Sequence, residues 1–534
     1  MTNRMLAHRH RLINDENSRW WTLGAMCFAL FMVMLDNTVV NVSLPSIQRD
    51  LHASLSALEW TVNAYTLTFA VLMVTGGRLG DIFGRRRMFL FGVVVFGISS
   101  AAIGFAPNDT TLVGFRAVQG IGAAFMMPAT LSIITQAFPP HQRGMAIGTW
   151  AGVSAMALAI GPVLGGFLTQ AVSWRAIFFI NPPIALITIA VTLFAARETR
   201  DETVSRSVDY AGIAAITVGL TSVVLALVEG NKWQWGSTRV IALFAIAAAA
   251  VAAFVIIERR VKAPMVDFAF FRSRSFLGAS VVGFIVSFAM LAQFFFLALY
   301  MQNILHYSPL QAGIRFLPST LVIIVMGPIA GRLTDRIGPR PLMTAGLLVV
   351  AVALFIQSRL TVHSGYGLLL PGFVLMGVGM GLVMSPMSTA AMNAVDRTKA
   401  GVASGVLSMS RMVGGTFGVA VMGALIATIG RAQLDQSLPH IPAATRATIA
   451  NALGGGGATT GHASPQIVAA VREAFVSALG TGLTIGGAVT VVGAVAAFTL
   501  VKRIRPETAA HASDTPDDRE AEVPAEARAV DLVA

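Results

Sequence analysis

The sequence predicts an all-α polytopic membrane protein, and its composition, apolar windows and basic-residue placement each support that class. Of the 534 residues, 55% are hydrophobic and 12% are charged, and the mean hydropathy is +0.72. A soluble protein of this size would carry roughly twice that charged fraction. The 51 glycines agree with a membrane protein, because small residues let transmembrane helices approach closely.

Apolar windows of about 20 residues, the length that crosses a bilayer as a helix, predict the transmembrane helices. There are fourteen such windows, at residues 20–43, 58–77, 88–107, 112–137, 145–168, 174–196, 209–228, 239–258, 276–301, 312–331, 341–359, 366–390, 400–429 and 478–501. The first 19 residues are polar and the first apolar run has the length of a span, so we expect no cleaved signal peptide. The even number of windows places both termini on one side of the membrane.

Lysine and arginine placement predicts that this side is the cytoplasm. With that orientation, inner loops and membrane-proximal termini hold 25 of the 38 basic residues, and outer loops hold eight. This asymmetry is the positive-inside bias. The net charge of +12 therefore reflects topology, and we expect no nucleic-acid partner. Cys27 is the only cysteine, which excludes an intrachain disulfide and a cysteine-based metal site.

An internal repeat divides the chain into two related halves. GRLGDIFGRRR at Gly77–Arg87 recurs as GRLTDRIGPR at Gly331–Arg340, an offset of 254 residues, and six later glycines recur at an offset of 257. The predicted parts are a cytoplasmic N-terminus (1–19), an N-terminal six-helix half (20–196), a linker with two extra helices (197–275), a C-terminal six-helix half (276–501) with an extended outer loop (430–477), and an acidic, disordered cytoplasmic tail (502–534). Two related halves in a membrane usually rock around a central site.

Asp36 lies inside the first span, where a charge is costly and is usually kept for a pathway, a relay or a buried partner. Asp36 precedes the outer end of its span by about eight residues, and Arg116 follows the outer end of the fourth span by about five, so at 1.5 Å per residue their depths differ by about one helical turn. A carboxylate ionises more readily beside a guanidinium, and separation favours its protonation. The pair can therefore carry a proton, and a static buried ion pair is the alternative.

The repeated loop motif predicts a charge network at the cytoplasmic face. Its glycines allow tight turns and close helix approach, and Asp81 can accept from a nearby arginine or a helix N-terminus. An ordinary basic loop is the alternative, and duplication in both halves favours a gate. The candidate gating residues are Gly77, Asp81, Gly84, Arg85, Arg86, Gly331, Asp335, Arg336 and Gly338.

This repeated loop, G-x-L-x-D-x-x-G-[RP]-[RK], resembles the signature of the major facilitator superfamily. Six, two and six helices with LDNTVVNVSLP in the first span resemble its fourteen-span drug:proton antiporter branch, the EmrB/QacA-type exporters. Similar segments lie at Trp60–Leu67, Phe115–Ala124 and Trp174–Pro183, and the resemblance runs from about residue 20 to 505. Ile82 stands where an arginine is usual after the motif aspartate, whereas Arg336 keeps it in the second copy.

The resemblance implies a major facilitator fold that exports small organic molecules against protons by alternating access. It implies proton coupling by Asp36 and Arg116, and an antiporter motif within Ala157–Gly166 that seals the protein against leak through close packing. The motif residues are Gly161, Pro162, Gly165 and Gly166. A substrate-specific uptake carrier or symporter remains an alternative, as does a membrane sensor or enzyme that transports nothing.

We expect a transporter without a cofactor, because the chain lacks a P-loop lysine motif and a catalytic serine–histidine–acid constellation, and the proton gradient supplies the energy. Its expected partners are protons, a small amphipathic organic substrate and the bilayer of the bacterial cytoplasmic or inner membrane, with a periplasmic adaptor protein as a further candidate. We expect the monomer to be functional.

Polar residues inside the spans are candidates for the substrate cavity. They are Asn41, Tyr65, Gln119, Gln293 and Arg411. Hydrogen bonding between helices is the competing role for the amides, and pairing with a neighbour is the competing role for the arginine. Glu59, Glu229 and Glu258 lie at span ends and are expected to be solvated.

Overall fold

The computed structural model of the chain describes residues 15–200, 209–261, 264, 268–395, 400–442, 446 and 464–502, and the described residues are helical without a strand. The all-α prediction is confirmed. The long helices are Asp15–Leu51 (α1), Leu55–Phe83 (α2), Arg85–Gly104 (α3), Asp109–Ala137 (α4), Pro140–Ala171 (α5), Ala176–Ala195 with a break at Ile180 (α6), Tyr210–Trp233 (α7), Thr238–Arg260 (α8), Arg274–Leu299 (α9), Pro309–Ile337 (α10), Pro339–Gln357 (α11), Tyr366–Met392 (α12), Ala400–Ser437 (α13) and Pro465–Leu500 (α14).

Most of these helices are long and apolar enough to cross a membrane. Twelve within the described residues meet that description, and α2 is a thirteenth if its two parts, bent by 48°, form one span. These thirteen coincide with predicted spans, and the remaining predicted span, 145–168, falls on the 32-residue helix α5. The predicted N-terminal segment up to residue 14, the centre of the outer loop and the acidic tail lie outside the described residues.

Local sequence signals set the helix ends. At the predicted outer face, Ser54 and Asn108 cap α2 and α4 by accepting backbone N–H groups, and Ser308 forms a capping box with Gln311 at the start of α10. At the opposite face, Gly84 (φ 111°) and Gly338 (φ 81°) separate α2 from α3 and α10 from α11. Glycine adopts this left-handed conformation without a Cβ clash.

The helix contacts follow the sequence repeat. In α1–α6, which we call the N-terminal half, α4 packs against α1, α2 and α3, while α1 also packs against α5 and α6. In α9–α14, the C-terminal half, α12 packs against α9, α10 and α11, while α9 also packs against α13 and α14. Each contact in the first set therefore has its repeat-related counterpart in the second.

The halves meet along two repeat-related seams, α5 with α10 and α2 with α13. Small residues let the backbones approach: a Cβ at Gly166 of α5 would lie 2.5 Å from the Pro309 carbonyl oxygen of α10, and one at Gly423 of α13 would collide with the Glu59 carboxylate of α2. These contacts lie at the predicted outer ends, opposite Arg85. Helix α7 packs against both α2 and α13, and α8 packs on α7.

Candidate functional site

A polar network joins α1 to α4 inside the N-terminal half. Arg116 donates from its guanidinium to Asp36 Oδ2 at 2.5 Å and to Gln119 Oε1 at 2.8 Å. Gln119 in turn donates from Nε2 to Asp36 Oδ1 at 3.0 Å. The structure thus brings together Asp36, Arg116 and Gln119, three residues that the sequence predicted for proton coupling or the cavity. Each oxygen of the carboxylate accepts one hydrogen bond.

Helix α2 completes the surroundings of Arg116. Arg116 Nε donates to the carbonyl oxygen of Thr61 at 2.8 Å, and the guanidinium carbon of Arg116 lies 4.2 Å from the centre of the Tyr65 ring. Asp36 is 4% exposed, Arg116 1%, and Gln119 and Tyr65 are fully buried. The carbonyl contact could not be predicted from the sequence, because every residue has a backbone carbonyl and no residue type marks this one.

Close packing of α2 on α4 positions this arginine. A Cβ at Gly120 would collide with the Thr68 hydroxyl and the Tyr65 carbonyl oxygen, so only glycine allows this approach. Thr68 also donates to the Ala117 carbonyl oxygen at 2.9 Å, which ties the two helices together at the residue next to Arg116. The network is therefore held by backbone geometry on both sides of the arginine.

The chemistry of the site follows from the hydrogen-bond inventory of its members. Arginine only donates, and a carboxylate only accepts, whereas a protonated carboxyl group also donates. Protonation of Asp36 would remove its charge and turn one accepting oxygen into a hydroxyl that faces a donor. A protonated carboxyl group would therefore keep only one of the two accepting oxygens that the structure shows.

The C-terminal half carries no equivalent of this ion pair among the described residues. At the offset of 257 residues, Phe373 stands in the place of Arg116. Its ring centre lies 5.2 Å from that of Phe316, which lies 4.8 Å from that of Phe294. An aromatic cluster therefore stands where the N-terminal half has the ion pair.

The first copy of the gating motif holds the ends of three helices together. Asp81 accepts from Arg85 Nε at 2.8 Å. Glu198, which follows α6, accepts from the backbone N–H groups of Arg86 (3.0 Å) and Arg87 (3.2 Å) at the start of α3. The Arg86 guanidinium donates back to carbonyl oxygens at the end of α6. Sequence reasoning missed Glu198; an acidic residue in a basic loop was the available signal.

The second copy has a different set of contacts. Gly338 repeats the positive φ of Gly84, and a Cβ at Gly331 would lie 3.3 Å from the Ser385 hydroxyl. Arg336 is exposed, and the side chain of Asp335 lies outside the described residues. The Arg340 guanidinium carbon lies 4.0 Å from the Phe498 ring centre of α14. The arginine thus contacts α14 where Arg86 of the first copy contacts α6.

The predicted antiporter motif lies between α1 and the other half. A Cβ at Gly161 would collide with the Thr38 hydroxyl, and one at Gly165 would lie 2.9 Å from the Val39 side chain, both on α1. Gly166 faces α10, and the Pro162 carbonyl oxygen lies against Gly313 of α10. Gly77 belongs to a close contact of α2 with α4, where an added Cβ would lie 3.3 Å from the Pro128 side chain.

Sequence comparison identifies the family. The model of the Major Facilitator Superfamily matches residues 26–419. The chain belongs to the major facilitator superfamily. It is 36% identical over 491 residues to the tetracenomycin C resistance and export protein of Streptomyces glaucescens, covering 90% of this chain and 91% of that protein. It is 35% identical over 421 residues to the multidrug resistance protein Stp of Mycobacterium tuberculosis, covering 79% and 78%.

The fold comparison agrees with this family. The crystal structure of a bacterial homologue of the human lysosomal transporter Spinster, inward-facing and unoccupied, matches with a TM-score of 0.63. That match covers 92% of this chain and 99% of the other at 16% identity, so it supports the fold alone. Family and relatives together identify this major facilitator as a multi-pass membrane transporter rather than an enzyme.

The five cavity candidates of this major facilitator fall in different surroundings. Tyr65 and Gln119 belong to the Asp36 network. Asn41 donates to the Asn37 carbonyl oxygen at 3.1 Å and is 4% exposed, with its own oxygen unpartnered. Gln293 donates to Gln357 Oε1 at 2.6 Å, a buried bond between α9 and α11. Arg411 lies inside the C-terminal half and has no such bond at Nε.

The expectation that three glutamates at span ends are solvated is wrong. Glu59, Glu229 and Glu258 are 2%, 9% and 4% exposed. Ser56 of α2 donates to Glu229 Oε1 of α7 at 2.7 Å, and Glu59 lies in the seam with α13. The inserted helices of this major facilitator cover these residues, which a hydropathy window cannot reveal.

Proposed function

We propose that the protein is a proton-coupled exporter of small amphipathic organic molecules, in the fourteen-span drug:proton antiporter branch of its family. The observation that carries this proposal is the buried network of Asp36, Arg116 and Gln119. Two relatives named for tetracenomycin C export and for multidrug resistance support export as the direction. The substrate is accordingly a drug or one dedicated secreted metabolite.

Alternating access would proceed by rocking of the two halves about a central site. The halves touch at their predicted outer ends, where Gly166 meets Pro309 and Gly423 meets Glu59. Opening this end would separate those contacts. Because Asp36 and Arg116 lie in the same half, the proposal also requires that α1 then moves relative to α4. A proton from outside then binds the carboxylate, and return to the outer-closed arrangement displaces it, because both oxygens of Asp36 there accept hydrogen bonds from Arg116 and Gln119.

The remaining predicted elements have roles that follow from their positions. Asp81 and Arg85, together with Asp335 and Arg336 of the second copy, would serve gates at a cytoplasmic face that also holds both termini. The close packing of Gly161, Pro162, Gly165 and Gly166 would seal α5 against α1 and α10. The energy source is the proton gradient, without a cofactor, and the working unit is a monomer that can pass substrate to a periplasmic adaptor.

Asp36→Asn tests this proposal in an efflux-deficient host and in vesicles. Asparagine keeps the shape and one accepting oxygen of the carboxylate but cannot carry a proton. We expect loss of gradient-driven export at an unchanged level of inserted protein. Asp435→Asn is the matched control, because Asp435 forms an exposed pair with Arg446 and such pairs contribute little.

Two outcomes would contradict the proposal. Concentrative export by Asp36→Asn at the wild-type rate would show that this carboxyl group is not the proton site. Vesicles with imposed proton gradients of either sign separate antiport from symport, because substrate and protons move in opposite directions only in an antiporter. Co-directional movement would identify an uptake carrier.

A further inference from the structure

We infer that Arg411 binds an anionic group of the transported molecule, so that the preferred substrates are organic acids with an apolar body. This inference rests on the proposed export function, because it names the substrate class of that transporter. It is carried by a guanidinium inside the C-terminal half that has no counter-ion among the residues that the structure describes.

Arg411 sits where three helices of the C-terminal half meet. A Cβ at Gly283 of α9 would lie 3.1 Å from Arg411 Cγ and 3.1 Å from Met387 Sδ of α12. The absence of a side chain at Gly283 therefore makes room for the arginine stem. Arg411 follows the start of α13 by about 17 Å at 1.5 Å per residue, which places it near the middle of the bilayer.

This turn of α13 also faces the other half. Met412, the next residue, packs against an apolar cluster of the N-terminal half that includes Tyr65 and Phe69, and Met34 and Met73 pack against the same cluster. Substrate sites of transporters built from repeats lie near the midplane between the repeats. The thioethers and other apolar side chains around Arg411 adapt readily to a hydrophobic ligand.

Three other arginines along the spans have partners within the protein. Arg116 pairs with Asp36, Arg315 lies 3.9 Å over the Tyr307 ring, and Arg340 lies 4.0 Å over the Phe498 ring. Arg411 forms neither an ion pair nor a ring contact with the residues that the structure describes, and its buried Nε lacks an acceptor.

An unpaired guanidinium in the membrane interior is costly, and a ligand that supplies the missing charge offsets this cost. The planar guanidinium matches the two oxygens of a carboxylate with parallel N–H donors. A carboxylate, or another delocalised oxyanion on an apolar body, therefore fits the arginine and its surroundings. A cationic drug would meet repulsion at this position.

The test measures binding to protein in nanodiscs, without a gradient, using anthraquinone-2-carboxylate and its methyl ester at pH 7. Binding to empty nanodiscs is subtracted, because the ester partitions more strongly into lipid. We expect the wild type to prefer the acid by about tenfold, the value of one charge-assisted bond. Arg411→Gln should lower affinity for the acid to that for the ester and leave ester binding unchanged.

Two further variants control the measurement. Arg411→Lys keeps the charge without the planar fork, so it should retain part of the preference. Arg431→Gln removes an exposed arginine from the outer end of the same helix and should retain all of it. Should Arg411→Gln fail to insert, the wild-type comparison of acid with ester and the graded loss in Arg411→Lys decide the matter.

Equal affinity of the wild type for acid and ester would overturn the inference, as would an undiminished preference in Arg411→Gln. The proposed export function has separate consequences. If the inference fails but Asp36→Asn still abolishes gradient-driven export, the antiporter stands with another substrate class. If acid binding depends on Arg411 but vesicles show no proton-driven export, the site stands and the antiporter does not.

Discussion

Arg116 illustrates how one side chain can join three helices. Its guanidinium contacts Asp36 of α1, the Thr61 carbonyl oxygen and the Tyr65 ring of α2, and Gln119 on its own helix. Removing one partner of a buried charge leaves the other uncompensated, which is strongly destabilising. Substitutions around this arginine should therefore affect transport according to which contact they remove.

Tyr65 provides a graded test of the aromatic contact. Tyr65→Phe keeps the ring under the guanidinium, so we expect export to stay within about twofold of the wild type. Tyr65→Leu removes the ring face, whose interaction with a desolvated cation contributes about 2 kcal/mol, and should slow export by at least about tenfold. Initial rates at matched membrane levels check both values. Equal rates for Tyr65→Leu and wild type would show that the ring contact has no role.

Depth arithmetic from the sequence predicted that Asp36 and Arg116 lie at similar heights, and the structure places them in contact. The same arithmetic could not predict the contribution of Tyr65, since the rotation of α2 about its axis decides which residue faces Arg116. That rotation follows from the close approach of α2 to α4 at Gly120. In the sequence nothing distinguishes this position from the other glycines, of which the chain has 51 in total.

At the level of helices, the end of α6 is fixed to the start of α3 by one carboxylate. Glu198 accepts two backbone N–H groups from the first turn of α3, which satisfies donors that have no partner within the helix. Gly84 precedes this turn, and a Cβ there would lie 2.6 Å from Glu198 Oε1. The absence of a side chain at Gly84 therefore makes room for the Glu198 carboxylate. The two residues are 114 positions apart, so a short sequence motif does not include both.

Glu198→Ala should loosen this junction. Loss of a side chain that caps a helix N-terminus costs about 1 kcal/mol, and the thermal midpoint of the purified protein should fall accordingly. Glu198→Gln keeps an accepting oxygen, so its thermal midpoint should fall less. Glu473→Ala, at an exposed position of α14, is the control. A midpoint in Glu198→Ala equal to that of the control would contradict the capping role.

The inserted helices explain why the prediction of solvated glutamates was wrong. Hydropathy windows place Glu59 and Glu229 at span ends, and that placement is correct along each helix. Their burial arises because α7 lies across the α2–α13 seam and covers Glu59 from outside. Since α7 and α8 lie outside the repeat, their docking position had no internal counterpart from which it could be inferred.

For the whole molecule, the contacts between halves form a repeat-related pair. In the repeat α5 corresponds to α13 and α2 to α10, so the α5–α10 seam is the counterpart of the α2–α13 seam. Both seams are closely packed at the predicted outer ends. The fold class and the repeat predicted two similar halves, but they could not predict which end is closed. Which end is closed depends on whether the contacts at the outer or at the cytoplasmic face are more stable. The two seams have similar sequences, so the sequence does not indicate this balance.

A reversible cross-link across one seam tests whether the outer end must open during export. Glu59→Cys with Gly423→Cys, in a Cys27→Ser background, places one thiol on each side of the α2–α13 seam, at two positions that are in contact in this structure. Oxidation should abolish export and reduction should restore it, because the bond joins the two halves.

Ser43→Cys with Thr169→Cys is the matched control, since those hydroxyl oxygens lie 2.7 Å apart within the N-terminal half. This second bond joins α1 to α5 without crossing a seam, so oxidation should leave export nearly unchanged. Gel mobility after proteolysis between the cysteines measures cross-link yield in each variant. Full export by the oxidised seam variant at complete yield would mean that α2 and α13 stay together throughout the cycle, and the halves would then have to move about this seam rather than part along it.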